Sequence, residues 1–269
     1  MKRINRLITV LIFVFLYVPM LVLIIASFNT GKDITEFEGF TFTQYAAVFQ
    51  DRSLLTLLGN SLLVSILASA LATVFGTASA VGIYQLRPRL RKAVMGLTNI
   101  PMTNPDIVTG ISLSLLFVFV GSNLLQQRNA LTFWTLLIAH LTFNLPYVIL
   151  NVMPKLHQMD HSLHDAAMDL GCTPIQSFFK VTIPEIMPGI ISGAIMAFTM
   201  SLDDFVISYF VTGLDFITLP VEIYNYTKKP LQPKIYAMFT MLFLLIFALM
   251  VIMNLMQIRQ DKRKEPKQA

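Results

Sequence analysis

The chain has 269 residues, 55% of them hydrophobic and 13% charged, with a mean hydropathy of +0.66. About a quarter of a soluble domain is charged, so this composition excludes an ordinary cytosolic enzyme, a disordered chain and a secreted disulfide scaffold. The net charge of +5 does not indicate nucleic acid, because the basic residues sit at the ends of apolar blocks. Lys2, Arg3 and Arg6 precede the first block, Arg87, Arg89, Arg91 and Lys92 follow the second, and Arg259, Lys262, Arg263, Lys264 and Lys267 close the chain. Lys and Arg collect in this way in cytoplasmic loops beside membrane spans. The one cysteine, Cys172, forms no intrachain disulfide and is no metal site by itself.

A span needs about 20 apolar residues to cross roughly 30 Å of hydrocarbon. Six blocks qualify: Leu7 to Phe28, Leu62 to Tyr84, Val94 to Val120, Leu131 to Met153, Pro188 to Val211 and Ile235 to Ile258. The expected fold is all-α, a polytopic bundle of six transmembrane helices lying in a lipid bilayer. Its parts are an N-terminal helix with the first outer loop (1–61), a core bundle (62–258) and a basic tail (259–269). The first block is long and has no clear small-x-small cleavage site, which favours a retained helix over a secretory signal. With the N-terminus inside, cytoplasmic segments hold 14 of the 20 Lys and Arg residues and outer loops hold six. Both termini are therefore expected in the cytoplasm, and Trp134, Tyr209, Phe210 and Tyr236 near the outer interface.

On the second span Ala68, Ala72, Gly76 and Ala80 recur every four residues, as do Ser61, Ser65, Ser69, Thr73 and Thr77. Gly189, Gly193, Ala197 and Ser201 do the same on the fifth. Each set lies on one helix face and lets another backbone come close, either within the bundle or at a subunit contact. In the third span, Pro101-Met-Thr-Asn104-Pro105 precedes Asp106. Two prolines and an Asn should interrupt that helix, and broken backbone at membrane depth is tolerated only inside protein or beside a water-filled cavity.

The longest inner segment, 154–187, reads as helix, turn, helix. Gly171 suits the left-handed position after a helix. Thr173-Pro174 reads as an N-cap followed by proline at the first helical position. Pro184 and Pro188 are expected to limit the second helix and to start the fifth span. Leu163, Ala166, Ala167 and Leu170 give the first helix an apolar stripe with no lipid to bury it, which calls for a protein partner. His157, His161 and His164, spaced i, i+4, i+7, fall on one helix face. Such a face could bind a metal with Asp160 or Asp165, but surface or docking histidines are the preferred reading and no metal is expected.

Asp165-Ala166-Ala167, three residues, Gly171, nine residues, then Val181-Thr-Ile-Pro184 resembles the EAA motif of ATP-binding-cassette (ABC) importer permeases, E-A-A-x3-G-x9-I-x-L-P. Asp replaces Glu, Val replaces Ile and Ile replaces Leu, with the spacing intact. The resemblance implies a type I importer permease (MetI-like) fold. It also implies that Asp165, Ala166, Ala167, Gly171 and Pro184 belong to a coupling segment that docks on a cytoplasmic ATPase. The chain has no G-x-x-x-x-G-K-[ST] phosphate loop, no H-E-x-x-H helix and no G-x-S-x-G elbow, so it is not expected to be an enzyme or to carry a cofactor. ATP would be bound and hydrolysed by the partner.

Asp203 and Asp204 lie about 22 Å along the fifth span from Pro188, at about 1.5 Å per residue. Carboxylates at membrane depth are functional candidates by default. With Asp106 they suggest a wet, acid-lined path that favours a cationic solute; the competing reading is structural, with the acids capping broken helices. Ser201-Leu-Asp-Asp-Phe-Val-Ile-Ser208, then Phe210-Val-Thr-Gly213, with Pro101 through Ser112, is similar to spermidine/putrescine importer permeases of the PotC type. That resemblance implies a polyamine substrate and a bacterial inner-membrane location. It further implies a homologous second permease, two copies of the ATPase and an extracytoplasmic polyamine-binding protein. The last of these would dock on outer loops such as 212–234, unless that loop is only a solvated surface. An importer for another small solute, an ion-coupled secondary transporter and a membrane-embedded metal enzyme are the alternatives.

Overall fold

A computed structural model describes residues 2–31, 36–123, 126, 129–160, 162–228 and 233–264. The helices are α1 (Lys2–Ser27), α2 (Thr43–Gln50), α3 (Arg52–Gln85), α4 (Pro88–Thr103), α5 (Asp106–Asn123), α6 (Phe133–Gln158), α7 (Ser162–Asp169), α8 (Pro174–Ser177), α9 (Ile183–Asp203), α10 (Val206–Val211), α11 (Leu219–Thr227) and α12 (Pro233–Lys264). A π-turn, Phe178–Thr182, joins α8 to α9. Five helical runs among the described residues are long and apolar enough to span a bilayer: Ile4–Ser27, Arg52–Gln85, Asp106–Asn123, Phe133–Gln158 and Pro174–Asp203. The sixth expected span falls on α12, whose stretch Pro233–Ala248 is apolar.

The chain divides into two units. One comprises 1–56 and 223–255. Within it α1 is exposed along most of its length, as a lipid-facing helix would be. After α1 the chain is folded back by Asn29, whose amide donates to Glu36 O (2.7 Å) and accepts from Gly31 N and Glu38 N. Phe28 stacks on Phe40 beside it. Asp51 starts α3: its Oδ1 accepts from the N–H groups of Ser53 and Leu54, and its Oδ2 pairs with Lys234 Nζ at 2.9 Å. That ammonium holds the Asp51 carboxyl below its ordinary range. Tyr236, near the start of α12, is buried.

The other unit, 57–222 with 256–269, is built around α6. Eleven residues of α6 are buried, because small residues let its neighbours approach to backbone distance. A Cβ on Gly193 would stand 3.1 Å from Val148 Cα, one on Gly189 2.8 Å from Asn151 O, and one on Gly76 2.7 Å from Val148 Cβ. Val148 is thus wedged between glycines of α3 and α9. Gly189, Gly193, Ala197 and Ser201 are all buried, and Ser201 meets Asn144 of α6. This face of α9 therefore packs within the chain.

One expected span breaks where its sequence suggests, and another is organised differently. The third is not continuous from Val94 to Val120. α4 ends at Thr103, Asn104 is extended (ψ 136°), and α5 restarts at Asp106. Pro105 supplies the reason, since the residue before a proline is pushed out of the helical region. The fifth span differs from the sequence reading: Pro184 and Pro188 do not divide a short helix from it. Helical backbone runs from Pro174 to Asp203, and Pro188 lies inside α9. The π-turn makes room: Ile183 N–H bonds back five residues to Phe178 O, which widens the turn where the Pro184 ring would otherwise strike the preceding carbonyls. The break in this span comes later, at Asp204, whose ψ is 120°.

Candidate functional site

The loop between α6 and α9 takes its shape from local backbone chemistry. Gly171 has φ +88°. Its N–H donates to Met168 O (2.9 Å) and that of Cys172 to Ala167 O (3.1 Å), the paired bonds of a Schellman helix end. An added Cβ at Gly171 would meet nothing within 4 Å, so only the left-handed backbone restricts this position. Thr173 caps the next helix: its Oγ1 accepts from Gln176 N while Gln176 Oε1 accepts from Thr173 N, with Pro174 first in the helix. Asp165, Ala166, Gly171 and Pro184 are exposed and Ala167 is buried. Leu170 is 87% exposed and Ile175 71%. Behind this surface lies an apolar cavity of about 510 Å³ whose walls include Tyr84, Leu156, Ile175, Phe178 and Phe179.

The histidine face does not form as the spacing suggested. α6 ends at Gln158, Met159 is extended, and Asp160 starts α7 by accepting from Ser162 N (2.9 Å). His157 therefore belongs to α6, where its ring stands edge-on to Tyr84 at 5.0 Å. Arg91 stacks on the same tyrosine at 4.8 Å and donates to the Tyr84 carbonyl. His161, and the side chain of His164, lie outside the described residues.

The acids of the third and fifth spans stand at helix breaks rather than along continuous helices. Asp106 is the first residue of α5 and is exposed. Asp203 is the last residue of α9 and is also exposed. Asp204 has a different setting. Its Oδ1 accepts from Ile207 N (3.2 Å), and its Oδ2 accepts from Ser208 N and Ser208 Oγ, both at 2.8 Å. It therefore caps α10 and satisfies N–H groups that a helix start leaves unpaired. The two restarts are neighbours: a Cβ on Gly110, one turn into α5, would stand 3.3 Å from Ile207 Cα and 3.0 Å from the Phe210 ring. Asp106, Asp203 and Asp204 thus belong to adjoining breaks.

Sequence reasoning missed two polar residues here. His140 and Asn144 of α6 are buried and bond to Ser208 and Ser201. Polar side chains four residues apart in an apolar span were a usable signal. Farther out, Thr135 Oγ1 donates to Val211 O (3.0 Å), Asn60 Nδ2 to Ile217 O (2.9 Å), and Leu219 N to Ser61 Oγ (2.8 Å). The outer segment after α10 is therefore tied down, and it carries the helix α11.

Residues 72–266 match the family described as "Binding-protein-dependent transport system inner membrane component". The chain is 36% identical over 255 residues to the putrescine transport system permease protein PotI of Escherichia coli (strain K12), covering 94% of this chain and 90% of that protein. It is 35% identical over 234 residues to the spermidine/putrescine transport system permease protein PotC of Haemophilus influenzae, covering 87% and 88%. Among solved structures, it is similar to a chain of a bacterial ABC transporter involved in the import of alginate (TM-score 0.75, 17% identity, 98% of this chain and 96% of that one). It is also similar to a chain of the MetNI methionine ABC transporter in an inward-facing conformation (TM-score 0.62, 16% identity, 77% and 97%). At such identities the structural likeness shows the fold alone, and that fold is the all-α, MetI-like one expected from the sequence.

Proposed function

The chain belongs to the family of binding-protein-dependent transport system inner membrane components, and from that premise we propose that it is the permease subunit of an ATP-driven polyamine importer. The observation that carries the substrate class is the placement of Asp106 and Asp203, exposed carboxylates at two adjoining helix breaks. A protonated polyamine presents separated ammonium groups on a flexible chain. Carboxylates at membrane depth attract it most where the dielectric is low. Asp204 stands behind them, its oxygens engaged by the start of α10. The names of the relatives, putrescine and spermidine/putrescine permeases, support the same class.

The chain supplies half of the translocation path, and a homologous second permease supplies the other half. Two copies of a cytoplasmic ABC ATPase bind and hydrolyse ATP, and the chain itself holds no cofactor or metal. Asp165, Ala166, Ala167, Gly171 and Pro184 belong to the segment that meets the ATPase. Leu170 and Ile175, both largely exposed on this chain, supply apolar surface for that contact. Closure of the ATPase pair would push this segment and turn the bundle outward; hydrolysis would reset it. An extracytoplasmic polyamine-binding protein delivers cargo to the outer loops, and both termini lie in the cytoplasm, as the Lys and Arg distribution favours.

The test is uptake of labelled spermidine and putrescine by cells with and without the gene, in a strain with no redundant system and with an ATP-depleted control. Loss of ATP-dependent uptake on deletion is expected. Unchanged uptake of both would exclude the polyamine assignment.

A further inference from the structure

His140 and Asn144 lie four residues apart on α6 and so share one face. Asn144 donates to Ser201 Oγ, in the last turn of α9, at 2.7 Å. His140 Nε2 meets Ser208 Oγ, near the start of α10, at 2.9 Å. The two serines stand on opposite sides of the break at Asp204. The direction of the histidine bond follows from its neighbours. The Ser208 hydroxyl gives its one hydrogen to Asp204 Oδ2 (2.8 Å). With that hydrogen given to Asp204, Nε2 of His140 is the donor to Ser208, and the same nitrogen stands 3.5 Å from Asp204 Oδ2.

Both side chains are expensive to keep. His140 is 1% exposed, and its Nδ1 and the Asn144 Oδ1 are buried without a hydrogen-bond partner among the described residues. Apolar residues would fill the two positions without leaving unpaired polar atoms, so packing does not account for them. What they alone provide is a polar reach from one rigid helix to both sides of the break.

We propose that His140 and Asn144 are positioning residues of the transport path, holding the two ends of the helix break that presents Asp203. The inference rests on Asp203 being a carboxylate of that path. Without the His140 bond, the start of α10 keeps its apolar packing on α6 but loses a polar tie to it. A further bond between the two helices runs from Thr135 to Val211.

The experiment is to reconstitute the assembled transporter in proteoliposomes with loaded binding protein and count spermidine molecules taken up per ATP hydrolysed. His140→Leu removes the donor, whereas His140→Gln keeps an amide N–H near the place of Nε2. The ratio should fall about fivefold in His140→Leu, the effect of one hydrogen bond, and recover to within about twofold in His140→Gln. Asn144→Leu should lower it similarly. A ratio unchanged in His140→Leu, or a His140→Gln variant no better than His140→Leu, overturns the proposal. Should His140→Leu fail to assemble, Ser208→Ala deletes the same bond with one oxygen, and an unchanged ratio there is equally fatal. Asp203→Asn in the same assay separates the two levels. If it transports normally, the path reading itself fails. If it is impaired while His140→Leu is normal, only the positioning role is lost.

Discussion

The loop from Asp160 to Pro184 and the break around Asp204 both interrupt helices, yet they are made in opposite ways. In the loop the turn itself is set locally: Gly171 turns the chain, Thr173 caps the next helix, and each of these bonds closes within five residues. At the break, Asp204 caps α10 locally, but the helices on either side are held by α6 through bonds that span 57 and 68 residues of chain. A locally built turn can move as a body without losing its shape, which suits the ATPase-coupling role proposed for this segment. A break stitched to a central helix keeps its geometry only while that helix stays packed, which suits a site that must hold a carboxylate at a fixed depth.

This contrast can be broken most severely at Gly171. Gly171→Val places a β-branched residue at φ +88°, a region such residues rarely enter. Uptake and transport-linked ATP hydrolysis should both fall to background while the chain still reaches the membrane. Gly171→Asn, which tolerates left-handed backbone, should keep most of both. Equal loss in the two variants would show that something other than backbone conformation matters there.

The next largest effect belongs to the break. Asp203→Asn should lower polyamine uptake on the order of tenfold, equivalent to about 1.4 kcal/mol, with the complex still assembled as judged by co-purification. Asp204→Ala should act instead on stability. Loss of a helix cap costs about 0.5–2 kcal/mol, so the detergent-solubilised complex should melt at a lower temperature even without substrate. Thr173→Ala should cost a similar amount but only locally, with a modest decrease in uptake and little change in melting.

The same contrast explains what was legible in the sequence. Gly171, Thr173 and Pro174 could be read because the residues that set their conformation lie beside them. The interruption at Asn104-Pro105 was legible for the same reason. Pro184 was misread because a proline only signals conflict with a regular α-helix, and the chain resolved that conflict with a π-turn rather than an end. The histidine spacing failed because Asp160 starts a new helix, and i, i+4, i+7 has meaning only along one helix. His140 and Asn144 stayed hidden because their partners are distant in sequence. The ladders of small residues announced close packing, but only the structure gave Val148 as its centre.

The smallest effect concerns the Asp51–Lys234 pair. Partly exposed pairs of this kind contribute about 0.2–1 kcal/mol, and Lys234→Ala should cost no more. Because Lys234 holds the Asp51 carboxyl below its ordinary value, the contribution is complete above the unfolded-state value and is lost as pH falls through the folded one. The difference in melting temperature between the native chain and Lys234→Ala should therefore be present at pH 7 and shrink under strongly acidic conditions. A difference independent of pH would assign the effect of Lys234 to packing.

The most direct test of the division between the two regions is a paired measurement of spermidine uptake and ATP hydrolysis in reconstituted transporters carrying Asp203→Asn or Gly171→Val. The account predicts that Asp203→Asn goes on hydrolysing ATP in response to loaded binding protein while moving little spermidine, and that Gly171→Val does neither. Normal uptake by Asp203→Asn, or parallel loss of both activities in both variants, would contradict it.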